Sequence, residues 1–194
     1  MDLNLFFPTI IGSIKNPNHD KIEENLINHC LSIKNFSPSG GKGWLSNKTY
    51  NTSDGKYDLN SDPLFSSINN WVKSQVYTYC NALNIITDTI IENGSWLNIY
   101  TKNDFQETHV HPTSVISAIY ILSCDNLGAK LFFNSPINNM YYIKKKIEKQ
   151  EMSDQVICLP VPGTLFIFPS YLPHAVERHE TESLRISLSY NYRQ

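Results

Sequence analysis

From about Ser95 to the end of the chain, apolar residues recur at every second position in short runs, and this alternation limits the possible folds more than any other feature. A period of two sends successive side chains to opposite faces of an extended strand. In Trp96-Leu97-Asn98-Ile99-Tyr100, one face carries Trp96, Asn98 and Tyr100. Residues 114–122, 129–134, 156–159, 164–168 and 183–192 read as further strands, rich in Ile, Phe, Tyr and Leu and punctuated by Gly, Pro and Asn.

The first half has a helical period instead. Asp20-Lys21-Ile22-Glu23 has the spacing of a capping box, and the stripe behind it is Ile22, Leu26, Ile27, Cys30 and Leu31. Ser61-Asp62-Pro63 predicts a second helix with Pro63 at its first position, followed by Leu64, Ile68, Val72, Val76 (or Tyr79) and Leu83. Both stripes are expected to pack on a sheet. Two helices followed by seven or eight short strands predict a mainly β protein with supporting helices (α+β), its core a β-sandwich or jelly-roll barrel. A chain of 194 residues can bury a full core. No repeat or linker divides it, so one domain over 1–194 is expected, with support in 1–94 and the core in 95–194.

Composition narrows the function classes. A formal net charge of −2 implies no polyanion partner, and nucleic acid is disfavoured. The run Lys144-Lys145-Lys146 reads as a solvated face. No segment is apolar for long enough to cross a bilayer. The start, Met1 to Pro8, has no basic n-region and reads as a first strand rather than a signal peptide. Cys30, Cys80, Cys124 and Cys158 form no CxxC pair and sit in apolar stretches, so buried free thiols in a reducing cytoplasm are expected.

Two constellations carry chemistry. In Gln106-Glu107-Thr108-His109-Val110-His111-Pro112, a strand would project His109 and His111 side by side. A third histidine, His174, follows an apolar strand and a Pro-bounded turn, which would return it to the same end of a barrel. Three ligands on one face leave positions open for oxygen and a substrate, as non-haem iron chemistry needs. His19, His29 and His179 read as structural. Arg185 lies mid-strand, sharing a face with Ser187, Ser189 and Asn191 while Leu184, Ile186, Leu188 and Tyr190 take the other. A buried guanidinium needs a carboxylate, from the protein or from a ligand. Beside the histidines the ligand reading is preferred.

With these residues in view, the chain resembles the 2-oxoglutarate and iron(II)-dependent oxygenase superfamily, and most of all a small branch found in phages and marine bacteria. The likeness runs through Leu5-Phe6-Phe7-Pro8, Gly43-Trp44-Leu45-Ser46, Trp96 to Tyr100, Gln106 to Pro112, Ser117 to Leu122, Gly128 to Phe133, Pro162 to His174 and Arg185-Ile186-Ser187. It implies a double-stranded β-helix (jelly-roll, cupin-like) core. It also implies iron(II) on His109, His111 and His174, and 2-oxoglutarate on Arg185 and Ser187, with Tyr100 and Asn98 as further contacts. O2 would be consumed, 2-oxoglutarate decarboxylated to succinate, and a substrate of unidentified class hydroxylated. His111 stands where most members have Asp or Glu, and Glu107 is the alternative carboxylate. A homodimer is the candidate assembly, in the cytoplasm (a host cell's, if the gene is phage-borne). The alternatives are a cupin-type metalloprotein that makes no use of 2-oxoglutarate, and a non-catalytic jelly-roll binding module. The cupin reading leaves Arg185 without a role.

Overall fold

The computed structural model describes residues 8–54, 57–136 and 154–194. The strand expected over residues 1–8, Pro8 apart, and the run Lys144–Lys146 lie outside the described residues. β1 (Gly12–Lys15) leads into α1 (His19–Phe36), then β2 (Tyr50–Asn51), a 3₁₀ turn (Pro63–Phe65) and α2 (Ser66–Ala82). β3 (Ile91–Tyr100), β4 (Gln106–His109), β5 (Ile116–Ser123) and β6 (Leu131–Asn134) come next. β7 (Gln155–Cys158), β8 (Thr164–Pro169), β9 (His174–Val176) and β10 (Arg185–Arg193) complete the described strands.

The strands form two antiparallel sheets. The larger runs β1-β8-β5-β10-β3-β2 and the smaller β4-β9-β6-β7. The helices cover one face of the large sheet and the small sheet covers the other, so its inner strands are buried on both faces. β5 makes the division plain. Ile116, Ala118, Tyr120 and Leu122 pack toward α1 and α2, with Val72, Val76 and Cys30 among their partners in that core. Ile119 and Ile121 pack between the sheets with Leu131, Phe133, Phe166 and Phe168. Fully burying a side chain of this size contributes roughly 1.5–3 kcal/mol, so an alternating strand with two apolar faces is held in register from both sides.

β10 has the same two-sided burial with a different second face. Ile186, Leu188, Tyr190 and Tyr192 join the helix-side core. Arg185, Ser187, Ser189 and Asn191, all at most 8% exposed, turn toward the small sheet. The space between the sheets is therefore apolar under β5 and β8 and polar under β10. That polar stripe positions the site.

Four local expectations need correction. α1 starts at His19 behind Asn18, and no side chain caps it; Asp20 lies inside the first turn, where a carboxylate favours the helix dipole without being the cap. The chain enters the helix already tied by Asn16, whose N–H donates to the Gly163 carbonyl and whose side chain accepts from the Asn18 N–H, at 2.8 and 2.9 Å. Pro63 opens a 3₁₀ turn rather than the α-helix, capped by Asp62 accepting from the Leu64 N–H at 2.9 Å. Leu64 is consequently 62% exposed and drops out of the stripe, and Phe65 takes its place in the core. The cysteines are all free, but only Cys30 and Cys80 are buried; Cys124 and Cys158 are half-buried at the margin of the core between the sheets. Among the described residues no helix is long and apolar enough to cross a membrane.

Candidate functional site

β4 and β9 pair so that His109 lies directly opposite His174, and β6 on the other side of β9 sets Phe133 opposite His174. His174 is 2% exposed and packs edge-on against Phe168, with ring centroids 4.8 Å apart. Its Nδ1 is 2.9 Å from the Leu172 carbonyl, and the Nδ1 of His109 is 2.8 Å from the Glu107 carbonyl. A carbonyl can only accept, so each Nδ1 carries the proton and each Nε2 is left with its lone pair.

His111 arrives by a different route from the one its spacing predicts. β4 ends at His109, and His111 follows in a turn, its N–H donating to the Ser170 carbonyl at 2.9 Å and its carbonyl accepting from the Ser114 N–H at 3.1 Å. The turn nevertheless returns its ring to within 5.0 Å of His109 and 5.1 Å of His174, centroid to centroid. The three histidines each offer a ligand atom within 4.8 Å of the others, and the Nε2 atoms of His111 and His174 are 3.3 Å apart. Two nitrogens bound side by side at ~2.1 Å from one metal stand roughly 3.0–3.4 Å apart. Burial disfavours the charged imidazolium in all three. With the neighbouring histidines adding to it, His111 is pushed down to about 4 and His174 to about 3, and His109 is also lowered. The rings are thus neutral at ordinary pH, the form that binds metal.

Glu107, the alternative carboxylate, points elsewhere. Its two oxygens accept from the backbone N–H groups of Leu45 and Ser46 at 2.6 and 3.2 Å, and from the Gln106 amide at 3.0 Å. Burial works to raise its carboxyl, but the Ser46 side chain and the backbone N–H groups of Glu107, Leu45 and Ser46 outweigh it and hold the group below the ordinary value. Among the described residues Glu107 is not part of the cluster.

Arg185 is wholly buried at the inner end of the polar stripe, opposite Tyr100 in the β3–β10 register, while Ser187 is opposite Asn98. Its Nε donates to the Ala129 carbonyl at 3.0 Å and its Nη1 to Ser187 Oγ at 3.2 Å, and the guanidinium carbon lies 4.7 Å from the Tyr100 ring centroid. Among the described residues the buried Nη2 has no hydrogen-bond partner and no carboxylate forms an ion pair with the group. Burial raises the Tyr100 phenol, which stays protonated despite the nearby guanidinium. Asn98 donates to Ser189 Oγ at 3.0 Å, and Asn191 accepts from Ser117 Oγ at 2.7 Å.

A narrow inner chamber of about 40 Å³ joins the histidines to Arg185, Ser187 and Tyr100. By the same measure that is room for roughly three waters, so a larger ligand must displace side chains as it enters. An outer cleft of about 650 Å³ opens from the histidine side. Trp96, Asn98, Gln106, Asn191, His109 and His111 line both and form the throat between them. Trp44, Gln106 and Asn191 were not among the residues expected at the site. Trp44 sits edge-on to His109 at 5.2 Å, and only tertiary contact brings it there. The other histidines are structural: His19 contacts Tyr120 and Glu23, His29 pairs with Asp62, and His179 is held between the Ala129 N–H and the Ser183 carbonyl.

This architecture and residues 94–191 both have counterparts. The family described as "Putative 2OG-Fe(II) oxygenase" matches residues 94–191. A prolyl-4-hydroxylase of Pseudomonas putida is similar in structure at 13% identity and a TM-score of 0.63, covering 96% of this chain and 94% of its own. HygX of Streptomyces hygroscopicus, solved with nickel and 2-oxoglutarate, is similar at 12% identity and 0.63, covering 95% and 83%. A viral collagen prolyl hydroxylase from Paramecium Bursaria Chlorella virus-1, solved as a 2-oxoglutarate complex, is similar at 12% and 0.62, covering 94% of each. No curated protein sequence matches the chain.

Proposed function

The chain belongs to the 2OG-Fe(II) oxygenase family, and from that premise we propose that His109, His111 and His174 hold its iron(II) while Arg185 and Ser187 hold the 5-carboxylate of 2-oxoglutarate. The observation that carries this reading is the unpartnered Nη2 of a wholly buried guanidinium. A buried charge without an opposite charge is strongly destabilising, and the guanidinium fork matches a carboxylate bidentately. The chamber that begins at Arg185 ends at the three histidines, so one oxoacid can meet both.

The protein is an oxygenase dependent on iron(II) and 2-oxoglutarate. With O2, the bound iron and co-substrate supply the oxidation of a C–H bond to C–OH, 2-oxoglutarate leaving as succinate and CO2. The chain's own residues set the conditions for that chemistry. The Leu172 and Glu107 carbonyls fix the His174 and His109 tautomers, so that both Nε2 lone pairs face the shared position. Three neutral imidazoles leave the full charge of iron(II) uncompensated, and a dianionic oxoacid restores the balance. Tyr100 covers the guanidinium with its ring and keeps water from it. Asn98, next to Ser187 across the strands, is the second polar contact for the co-substrate. Free cysteines, two of them half-buried, suit a reducing compartment, and we place the protein in the cytoplasm.

The test is a calorimetric titration of 2-oxoglutarate into anaerobic, iron-loaded protein, with succinate release followed in air. Binding with a stoichiometry of one is expected. Neither binding nor succinate would remove the oxoacid from Arg185.

A further inference from the structure

The outer cleft has an unusual wall. Of its 17 described lining residues, three are aromatic (Trp44, Tyr57 and Trp96), six are carboxamides, two are carboxylates (Asp58 and Glu92), and none is aliphatic, Lys or Arg. A lipid or alkyl substrate would need aliphatic contact, and a phosphoester or nucleic acid would need cations. What matches flat π faces set among amide, hydroxyl and carboxylate groups is a ring with an apolar C–H face and a rim of hydroxyls. Ser95 and Glu92 belong to this wall, and among the described residues Ser95 Oγ and Glu92 Oε1 are buried without hydrogen-bond partners.

Trp44 is held in place by the contacts of its segment. Trp44 is 39% exposed, lines the cleft and meets His109 edge-on at 5.2 Å. The segment that carries it is clamped to β4 by Glu107, through the Leu45 and Ser46 N–H groups at 2.6 and 3.2 Å, and by Thr49 Oγ1 donating to the Phe105 carbonyl at 2.8 Å. A carboxylate two residues before a histidine of the cluster thus spends both oxygens on fixing an aromatic wall beside that histidine.

We propose that the outer cleft binds a saccharide ring, neutral or amino-bearing, stacked on Trp44, with Glu107 as the positioning residue that holds Trp44 in place. This rests on the functional reading above, because it puts the ring at the throat that leads to His109 and His111.

The test uses anaerobic, iron-loaded wild-type protein with 2-oxoglutarate. A panel of neutral mono- to tetrasaccharides and amino sugars is screened by saturation-transfer NMR, and hits are titrated by tryptophan fluorescence. Adenosine monophosphate and a Gly/Asn-rich hexapeptide serve as the competing classes. At least one saccharide is expected to bind, with Trp44→Ala weakening it about tenfold and Trp44→Phe keeping part of the affinity. Glu107→Ala should weaken the same sugar and shift Trp44 emission while iron stoichiometry stays at one, and Glu107→Gln should recover part. A panel with no binder, preference for the nucleotide or the peptide, or an indifferent Trp44→Ala would each overturn the proposal. The 2-oxoglutarate titration on the same samples reports separately on the earlier reading, so either can fail while the other stands.

Discussion

His109 and His174 are register partners across β4 and β9, their ring centroids 4.2 Å apart, and each donates Nδ1–H to the carbonyl two residues before it in its own chain. The same local device therefore aims both Nε2 atoms, and the strand pairing makes them converge. His174→Ala removes one of the two proposed ligands so placed. Iron content of anaerobically loaded protein should fall from one per chain to near none, a larger loss than the roughly 10–100-fold that follows removal of an outer partner. Full stoichiometry in that variant would take His174 out of the site.

Among the described residues His111 has no such carbonyl tie, and it is set by its turn. His111→Asp should keep iron binding, because a carboxylate is also a good iron ligand at the third position. It should also weaken 2-oxoglutarate, since an added negative charge faces the incoming dianion. Metal analysis and oxoacid titration on one preparation check both parts; iron lost in His111→Asp, with the fold intact, would contradict the ligand assignment.

Arg185→Ala should weaken 2-oxoglutarate by about 2–5 kcal/mol, which is roughly thirtyfold or more in Kd. Arg185→Lys should recover only part, because an ammonium cannot reproduce the fork to Ala129, Ser187 and the ligand. Equal affinity in wild type and Arg185→Ala would move the carboxylate elsewhere.

Gly163, in the turn before β8, has φ +83, and a Cβ there would stand 2.8 Å from the ring of His19. Gly163→Ala should lower the free energy of unfolding by about 1–3 kcal/mol through backbone strain and displacement of His19. Gly43, with φ +100 but open space around the added carbon, supplies the comparison: its alanine variant carries the backbone strain alone. Denaturant midpoints read the difference, and equal losses at the two sites would refute the role given to His19.

The strands of the core could be read in advance because each has a two-residue period whose faces both matter. β5, β8 and β10 lie within two residues of their expected bounds, and Arg185, Ser187, Ser189 and Asn191 share a face as the alternation predicts. The caps were less legible. Asp20-to-Glu23 has capping-box spacing, yet the helix starts two residues earlier, at His19 behind Asn18, because Asn16 and the Gly163 carbonyl decide where the chain turns in. Local spacing cannot report a contact made with residue 163.

What the sequence determined by itself is which residues of one strand share a face: Arg185 with Ser187, Ser189 and Asn191 on one side of β10, and the apolar residues on the other. Periodicity carries that information, since side-chain direction follows from backbone geometry alone. What only the tertiary structure decided is where those groups stop. β4 ends at His109, so His111 joins the cluster through a turn held by Ser170. Glu107, on the same short strand, is drawn off to Leu45 and Ser46, 62 and 61 positions away along the chain. The backbone N–H groups of a distant segment compete for that carboxylate, and such competition is settled by packing and not by spacing.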